Sequence, residues 1–232
     1  MENFVVSARK YRPQEFDTVV GQAHITDTLE HAIDENQLAQ ALLFCGPRGV
    51  GKTTCARILA RKINERDGST SDDGFSYNIF ELDAASNNSV EDIRELTDQV
   101  RFAPQVGKYK IYIIDEVHML SSAAFNAFLK TLEEPPAHAI FILATTEKHR
   151  IIPTILSRCQ IYDFKRIVIE DIQNHLKGIA EKEGIQYEDD ALYLVAQKAD
   201  GALRDALSIF DRLSTFTQKN ITLTKAAEVL NV

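Results

Sequence analysis

Gly46-Pro47-Arg48-Gly49-Val50-Gly51-Lys52-Thr53 is the stretch that decides the fold, because it satisfies the phosphate-loop pattern G-x-x-x-x-G-K-[ST] at every fixed position. The apolar run at 41–45 before it is typical of a buried parallel strand, and residues 54–60 after it favour a helix. Glycines let backbone N–H groups face an anion, and the N-terminus of a helix adds positive partial charge. The stretch predicts a nucleoside triphosphate site; a plain glycine-rich turn before a helix is the alternative.

The side chains of the loop suit the same ligand. Lys52 is a compact cation that would reach the β- and γ-phosphates, and the Thr53 hydroxyl is placed to bind the Mg²⁺ that bridges them. The other residues predicted to contact the nucleotide here are Gly46, Arg48, Gly49, Val50, Gly51 and Thr54.

Composition narrows the class of protein. With 232 residues, 44% of them hydrophobic, the chain can bury a substantial core. Its 34 acidic and 26 basic residues give a net charge of −8, which argues against autonomous, charge-driven binding of nucleic acid. Cys45, Cys55 and Cys159 match neither a disulfide framework nor a zinc cluster, so we expect all three to pack as small buried hydrophobic residues. With no signal sequence or long apolar run, the predicted location is cytoplasmic.

The order of patterns predicts the architecture. Strand patterns near 41–45, 78–83, 110–116, 139–144 and 160–164 alternate with helical patterns, which favours an α/β fold with a five-stranded, mostly parallel sheet flanked by helices. The last run alternates more and should lie nearer an edge. Residues 1–21 suggest an ordered extended segment, and 65–74 a mobile surface loop. From residue 166 only helical patterns follow, near 170–183, 189–199, 203–215 and 222–230. We therefore predict a nucleotide-binding domain at 1–165 and a small all-helical lid domain at 166–232.

Polar side chains follow the ends of two predicted strands. Because parallel strands present their carboxyl ends at one edge of a sheet, Asp115, Glu116, Thr145 and Thr146 should converge near Lys52. Asp115 suits a Mg²⁺ ligand and Glu116 suits the base for an attacking water; two acids capping a surface strand are the alternative. A strand-end threonine could hold that water or sense the γ-phosphate, although threonine there is ordinary.

Two arginines are candidates for neutralising charge during phosphoryl transfer. Arg158 lies in a predicted loop, and Arg204 lies in the predicted lid; a plain surface arginine is the more ordinary interpretation of each. The six histidines show no metal-ligand spacing, so solvated or packed histidine is expected for all of them.

Taken in order, several segments resemble one family, the tau/gamma AAA+ clamp-loader ATPases of bacterial DNA polymerase III. The likeness covers almost the whole chain. It is carried by Ala8-Arg9-Lys10-Tyr11-Arg12-Pro13, the loop at 46–53, Glu81-Leu82-Asp83-Ala84-Ala85-Ser86, Ile114-Asp115-Glu116-Val117-His118-Met119-Leu120, Leu132-Glu133-Glu134-Pro135-Pro136, Ser157-Arg158-Cys159 and Gly201-Ala202-Leu203-Arg204-Asp205-Ala206.

The resemblance implies roles that the residues alone do not. Thr146 would be the polar residue of the first sensor, and Arg204 the second sensor in the lid. Arg158 would act in trans on ATP bound in a neighbouring subunit. The adenine and ribose pocket would be lined by Ala8, Tyr11, Arg12, Pro13 and Val20.

The implied function is an ATP- and Mg²⁺-dependent motor subunit of the clamp loader within the polymerase holoenzyme. It would work with other clamp-loader subunits to load the sliding clamp onto primer-template DNA, and no membrane partner is implied. The alternatives are a structural subunit that holds nucleotide without turnover, and a helicase suggested by the D-E-x-H spacing at 115–118.

The sequence departs from the family in two places. Family members carry a four-cysteine zinc module after the phosphate-loop helix, whereas residues 64–77 contain no cysteine, so no zinc site is expected. The family also continues into a helical collar, and this sequence stops at Val232. We therefore expect the isolated chain to be monomeric, with weak or absent hydrolysis.

Overall fold

The computed structural model describes residues 5–66 and 78–231. Five strands form a wholly parallel sheet in the order β2-β3-β4-β1-β5, which confirms the predicted α/β class and places β5 at an edge. The strands are β1 (Ala41–Cys45), β2 (Ile79–Asp83), β3 (Lys110–Asp115), β4 (Ala139–Thr145) and β5 (Gln160–Asp163). The central strands β1 and β4 are buried along their full length, as expected where helices cover both faces of a parallel sheet.

Apart from two short helices, Ser7–Lys10 and Pro153–Leu156, which were not predicted, the helices fall close to the predicted helical patterns. They are α1 (Ser7–Lys10), α2 (Ala23–Asp34), α3 (Lys52–Arg66), α4 (Val90–Val100), α5 (Ser122–Glu133), α6 (Pro153–Leu156), α7 (Ile169–Glu183), α8 (Asp189–Lys198), α9 (Leu203–Phe216) and α10 (Leu223–Leu230). Helix α4 begins with a reciprocal capping box, in which Ser89 and Asp92 each accept a backbone N–H from the other.

The register of the sheet brings the strand ends together. Cys45 is paired with Thr145, and Asp83 with Asp115, so β1, β2, β3 and β4 end at one edge. Residues that follow these strands therefore share that edge, which is where α/β sheets bind ligands.

Aromatic side chains fill much of the core on one face of the sheet. Phe141 meets Phe128 of α5 edge to face at 5.3 Å between ring centroids, and it stacks on Tyr112 at 5.5 Å. All three side chains are at most 1% exposed. This packing fixes α5 against β3 and β4, the two strands whose ends carry the acidic and threonine residues.

The chain divides into two compact units. Among the described residues, one unit comprises 24–46, 52–66 and 78–164 and contains the five-stranded sheet; the other comprises 5–23, 47–51 and 165–231. The second unit has its own core, in which α7, α8 and α9 contribute Leu176, Val195 and Phe210. Its helical character was predicted from residue 166 onward.

Three local features differ from the sequence analysis. The prediction of an extended segment at 1–21 was wrong for Ser7–Lys10, which is a short helix, and for Phe16–Thr18, a 3₁₀ turn. A single helical turn is too short to show periodicity and depends on tertiary contacts. Two-residue strands β6 (Gln186–Tyr187) and β7 (Asn220–Ile221) also pair in parallel among the lid helices. The loop predicted at 65–74 lies mostly outside the described residues.

Within the described parts of the chain, none of the helices combines the length and apolar character that a membrane crossing requires.

Candidate functional site

The phosphate loop has a backbone that only glycine adopts easily. Gly46 has φ +146° and Gly49 has φ +76°. A Cβ atom at Gly46 would lie 2.4 Å from the carbonyl oxygen of Phe164, which is backbone and cannot move aside cheaply. The loop therefore joins β1 to α3 in the compact form that directs N–H groups toward an anion.

A Gly46→Ala variant is expected to lose about 1 to 3 kcal/mol of unfolding free energy, because the new methyl group is strained and collides with Phe164. The matched control is Gly178→Ala within α7, where a Cβ atom meets nothing within 4 Å. Alanine in that helix should stabilise the chain by about 0.5 to 1 kcal/mol. Urea unfolding of both variants measures the difference, and a Gly46→Ala variant as stable as the natural chain would contradict this account of the loop.

Lys52 is almost buried at the start of α3, with 6% of its surface exposed. Its Nζ donates a hydrogen bond to the Gly46 carbonyl at 2.8 Å, so the ammonium is held against the first residue of the loop. Burial lowers the pKa of Lys52, and the carboxylates of Glu116 and Asp115 act against that shift. The side chain is thus positioned as a cation beside two acids.

Thr53 and Asp115 meet directly. The Thr53 hydroxyl donates to Asp115 Oδ2 at 2.7 Å, and the backbone N–H of Glu116 donates to Asp115 Oδ1 at 2.9 Å. Two oxygen-bearing side chains, one from α3 and one from the end of β3, therefore share one point at the carboxyl edge of the sheet. Hard oxygen ligands of this kind are those that Mg²⁺ takes in proteins.

Glu116 lies in a left-handed backbone conformation, with φ 48° and ψ 43°, directly after β3. Its Oε2 accepts the Thr146 hydroxyl at 2.9 Å and the Thr146 backbone N–H at 3.2 Å. The structure thus brings together the two residues predicted as base and first sensor. In this conformation the threonine hydroxyl binds the carboxylate.

The structure adds two residues to the site, His118, which sequence reasoning used only in the helicase alternative, and Glu147, to which it gave no role. His118, 6% exposed, is hydrogen bonded through Nδ1 to Thr145 Oγ1 at 3.0 Å, and its Nδ1 lies 3.3 Å from Glu116 Oε2. Its Nε2 lies 3.5 Å from Glu147 Oε1. The signal that could have found them is position, because His118 and Glu147 both closely follow the strand ends that were singled out.

The residues predicted for the adenine and ribose pocket belong to the second unit. Ala8, Tyr11 and Val20 are half-buried and pack against the core of the lid helices. Tyr11 donates its hydroxyl to Glu183 of α7, and Ser7 is bonded to Asp211 of α9. Arg12 and Pro13, also half-buried, follow directly. The N-terminal segment is therefore attached to lid helices.

Arg204 lies in the first turn of α9. Its backbone N–H is directed at the Gly49 carbonyl at 3.4 Å, and a Cβ atom at Gly49 would lie 3.4 Å from the Arg204 Cβ. This contact joins the middle of the phosphate loop to the predicted second sensor.

Arg158 follows α6 on the sheet-containing unit. Its guanidinium donates to Glu133 at 2.7 Å, to the Thr154 carbonyl at 2.6 Å and to the Ser157 hydroxyl at 3.2 Å. These three partners are outside the cluster formed by Lys52, Thr53, Asp115 and Glu116.

The three cysteines carry thiols whose pKa is raised by burial, to about 11 for Cys45 and Cys159 and to about 12 for Cys55. They are therefore protonated and unreactive near neutral pH.

Comparisons with known proteins identify the family of the chain. A family model described as "DNA polymerase III, delta subunit" matches residues 21–168, and one described as "DNA polymerase III clamp loader subunit, ATPase lid domain" matches residues 171–218.

Several curated proteins are similar over most of this chain. DNA polymerase III subunit tau of Bacillus subtilis is 49% identical over 90% of this chain and 39% of its own length. Its Escherichia coli counterpart is 46% identical over 90% of this chain and 34% of its own. DNA polymerase III subunit gamma of Buchnera aphidicola subsp. Schizaphis graminum is 40% identical, covering 99% of this chain and 67% of its own. The chain thus spans less than half the length of the two tau subunits.

Among solved structures, Thermotoga maritima RuvB, titled as a Holliday junction branch migration motor, is similar with a TM-score of 0.74 and 20% identity, over 96% of this chain and 74% of that chain. A point mutant of the same RuvB gives a TM-score of 0.74 and 22% identity over the same shares of the two chains. At this identity the likeness shows a shared fold.

Proposed function

Because the chain belongs to the tau/gamma family of DNA polymerase III clamp-loader subunits, we propose that it is an ATP-binding and ATP-hydrolysing motor subunit that loads the sliding clamp onto primed DNA during replication. One observation carries the proposal, a cluster of side chains at one edge of the sheet. The Thr53 hydroxyl lies 2.7 Å from Asp115 Oδ2. The nearly buried Lys52 lies at the same edge, as does Glu116, which accepts the Thr146 hydroxyl. A turn that only binds phosphate requires neither a Mg²⁺ ligand at Asp115 nor a base at Glu116.

ATP is the proposed nucleotide. The backbone N–H groups of the loop at 46–53, with Thr54 after it, would hold the phosphates, and Lys52 would exchange its bond to the Gly46 carbonyl for one to phosphate oxygen. Adenine and ribose are assigned to the residues of the N-terminal segment named above, and Arg204 to the second sensor. Residues 1–165 and 166–232 are the proposed nucleotide-binding and lid domains.

Thr53 and Asp115 fit Mg²⁺, since both offer oxygen and the ion needs few protein ligands beside phosphates and water. Bound there, the ion would neutralise charge on the β- and γ-phosphates.

Hydrolysis is assigned to Glu116. Its carboxylate would take a proton from water as the water oxygen bonds to the γ-phosphorus, while the bond to the bridging oxygen breaks and its electron pair leaves with ADP. Thr146, which donates to Glu116 here, would orient that water or contact the γ-phosphate. Arg158 would supply positive charge to the site of a neighbouring subunit, so the proposed partners are other clamp-loader subunits, the clamp and primer-template DNA.

The alternative is a structural subunit that holds nucleotide without turnover. The presence of Glu116 and Thr146 in hydrogen-bond contact favours the motor, because a subunit that only holds nucleotide needs no base.

The test is ATP titration of the isolated chain with size measurement, followed by turnover in the presence of the other subunits, clamp and primed DNA. We expect a largely monomeric chain that binds ATP, with turnover that rises on assembly and again on adding DNA. Binding without turnover in the full mixture would support the structural subunit, and failure to bind ATP would refute both.

A further inference from the structure

His118 makes a second contact to Glu116, the proposed base. It follows β3 by three residues, and its ring packs beneath the end of β4 with 5% of the side chain exposed. Solvent therefore does not satisfy its ring nitrogens, and its neighbours fix its orientation.

Both ring nitrogens of His118 lie close to a carboxylate, and Nδ1 also lies beside a hydroxyl. Nδ1 is 3.0 Å from Thr145 Oγ1 and 3.3 Å from Glu116 Oε2. Nε2 is 3.5 Å from Glu147 Oε1. We take Nδ1 as a donor, because its hydrogen then bonds to Thr145 Oγ1 and its partial positive charge lies close to Glu116 Oε2.

Glu116 Oε2 is then hydrogen bonded to one neighbour and lies close to a donor of a second. Thr146 contributes its hydroxyl and its backbone N–H to Oε2, and His118 faces the same oxygen from the turn after β3. Thr146 and His118 differ in their freedom to move away from Glu116. A sensor threonine that turns toward phosphate releases its hydroxyl from Glu116, whereas the buried ring of His118 cannot leave.

We propose that His118 is a positioning residue for ATP hydrolysis, which holds the Glu116 carboxylate in place while Thr146 exchanges its hydroxyl bond from Glu116 to nucleotide or water. The proposal rests on the proposed function, in which Glu116 is the base. Thr145 supports the ring in turn, since its buried hydroxyl oxygen also accepts the Glu147 backbone N–H at 3.0 Å.

The role predicts a separation of kinetic effects. His118→Leu keeps an apolar side chain of similar size but removes the N–H, so kcat should fall about 10- to 100-fold, as expected when a base is slightly misplaced. The KM for ATP and the affinity measured by titration should stay near the wild-type values, because the polar contacts of the ring are to Thr145, Glu116 and Glu147.

Two amide variants distinguish positioning from packing. Asn carries its amide nitrogen at the δ position, where Nδ1 lies, so His118→Asn should recover much of the lost kcat. Gln places its amide one bond further out, so His118→Gln should resemble His118→Leu. A purely structural histidine would not discriminate between the two.

The matched control is His138→Leu. His138 is a partly buried histidine at the other end of β4, whose Nε2 donates to the Val100 carbonyl at 2.8 Å. The His138→Leu variant should have a lower thermal stability than the wild type and an unchanged kcat, when turnover is compared at a temperature where all variants are folded.

Turnover is measured with the chain assembled with its partner subunits, clamp and primed DNA. Wild-type kcat in His118→Leu, or a loss of equal size in His118→Asn and His118→Gln, would overturn the role of His118 while leaving the proposed function standing. A wild-type assembly that binds ATP without turnover would overturn the proposed function and the role of His118 with it.

Discussion

Replacing Glu116 with glutamine is expected to reduce ATP turnover by at least about 100-fold while leaving ATP binding intact. Glutamine has the shape of glutamate and its amide oxygen can still accept from Thr146, so the site keeps its geometry. The amide cannot take a proton from the attacking water, which is the step assigned to this side chain. Steady-state phosphate release by the full assembly, together with ATP titration of the isolated variant, measures the two effects separately.

The control for this substitution is Glu81→Gln. Glu81 is a carboxylate on the neighbouring strand β2 that pairs with Arg57 and lies outside the proposed site. Exposed ion pairs contribute at most about 1 kcal/mol, so this variant should fold and turn over ATP normally. Undiminished turnover in Glu116→Gln would remove Glu116 from the mechanism and leave the base unassigned.

Replacing Arg158 with alanine is expected to lower turnover by about 10³-fold or more, the range that arginines acting on phosphoryl transfer contribute. The isolated variant should nevertheless bind ATP as the natural chain does, because Arg158 is bonded to Glu133 and Thr154 rather than to the phosphate loop or Asp115. Turnover of the assembly and ATP titration of the single chain again separate the two effects.

A mixing experiment tests whether the arginine serves a neighbour. Arg158→Ala subunits keep a complete loop and Glu116, and Glu116→Gln subunits keep Arg158. Assemblies that mix the two variants should recover turnover that neither variant has alone. The active interfaces are those where Arg158 of a Glu116→Gln subunit meets the loop and Glu116 of an Arg158→Ala subunit. Arg101→Ala, at an exposed arginine paired only loosely with Asp98, is the matched control and should stay active. Loss of ATP affinity in isolated Arg158→Ala would show that the arginine acts on its own chain.

Much of the fold was predictable because its signals are local. Three of the five strands, β1, β3 and β4, are apolar runs, and the phosphate-loop pattern fixes the turn between β1 and α3 without reference to distant residues. The convergence of Thr53 and Asp115 followed from one rule about parallel sheets, and the structure places the two side chains 2.7 Å apart.

The features that were missed depend on residues far apart in the chain. His118 acquires its environment from Thr145, 27 positions away, and the helix at Ser7–Lys10 is bonded to Asp211, 204 positions from Ser7. Neither pairing leaves a periodic trace in the sequence. The pattern D-E-x-H places a histidine near the site but does not say whether its ring faces solvent or the carboxylate.

The left-handed backbone at Glu116 has a consequence for how this protein could change over time. A non-glycine residue in that conformation costs about 1 to 3 kcal/mol, which asparagine or glycine would largely avoid. Folding stability alone therefore disfavours glutamate here, and the proposed role of Glu116 as the base would be a reason to retain it. We therefore expect a related subunit that holds nucleotide without turnover to be more stable with asparagine or glycine at this position.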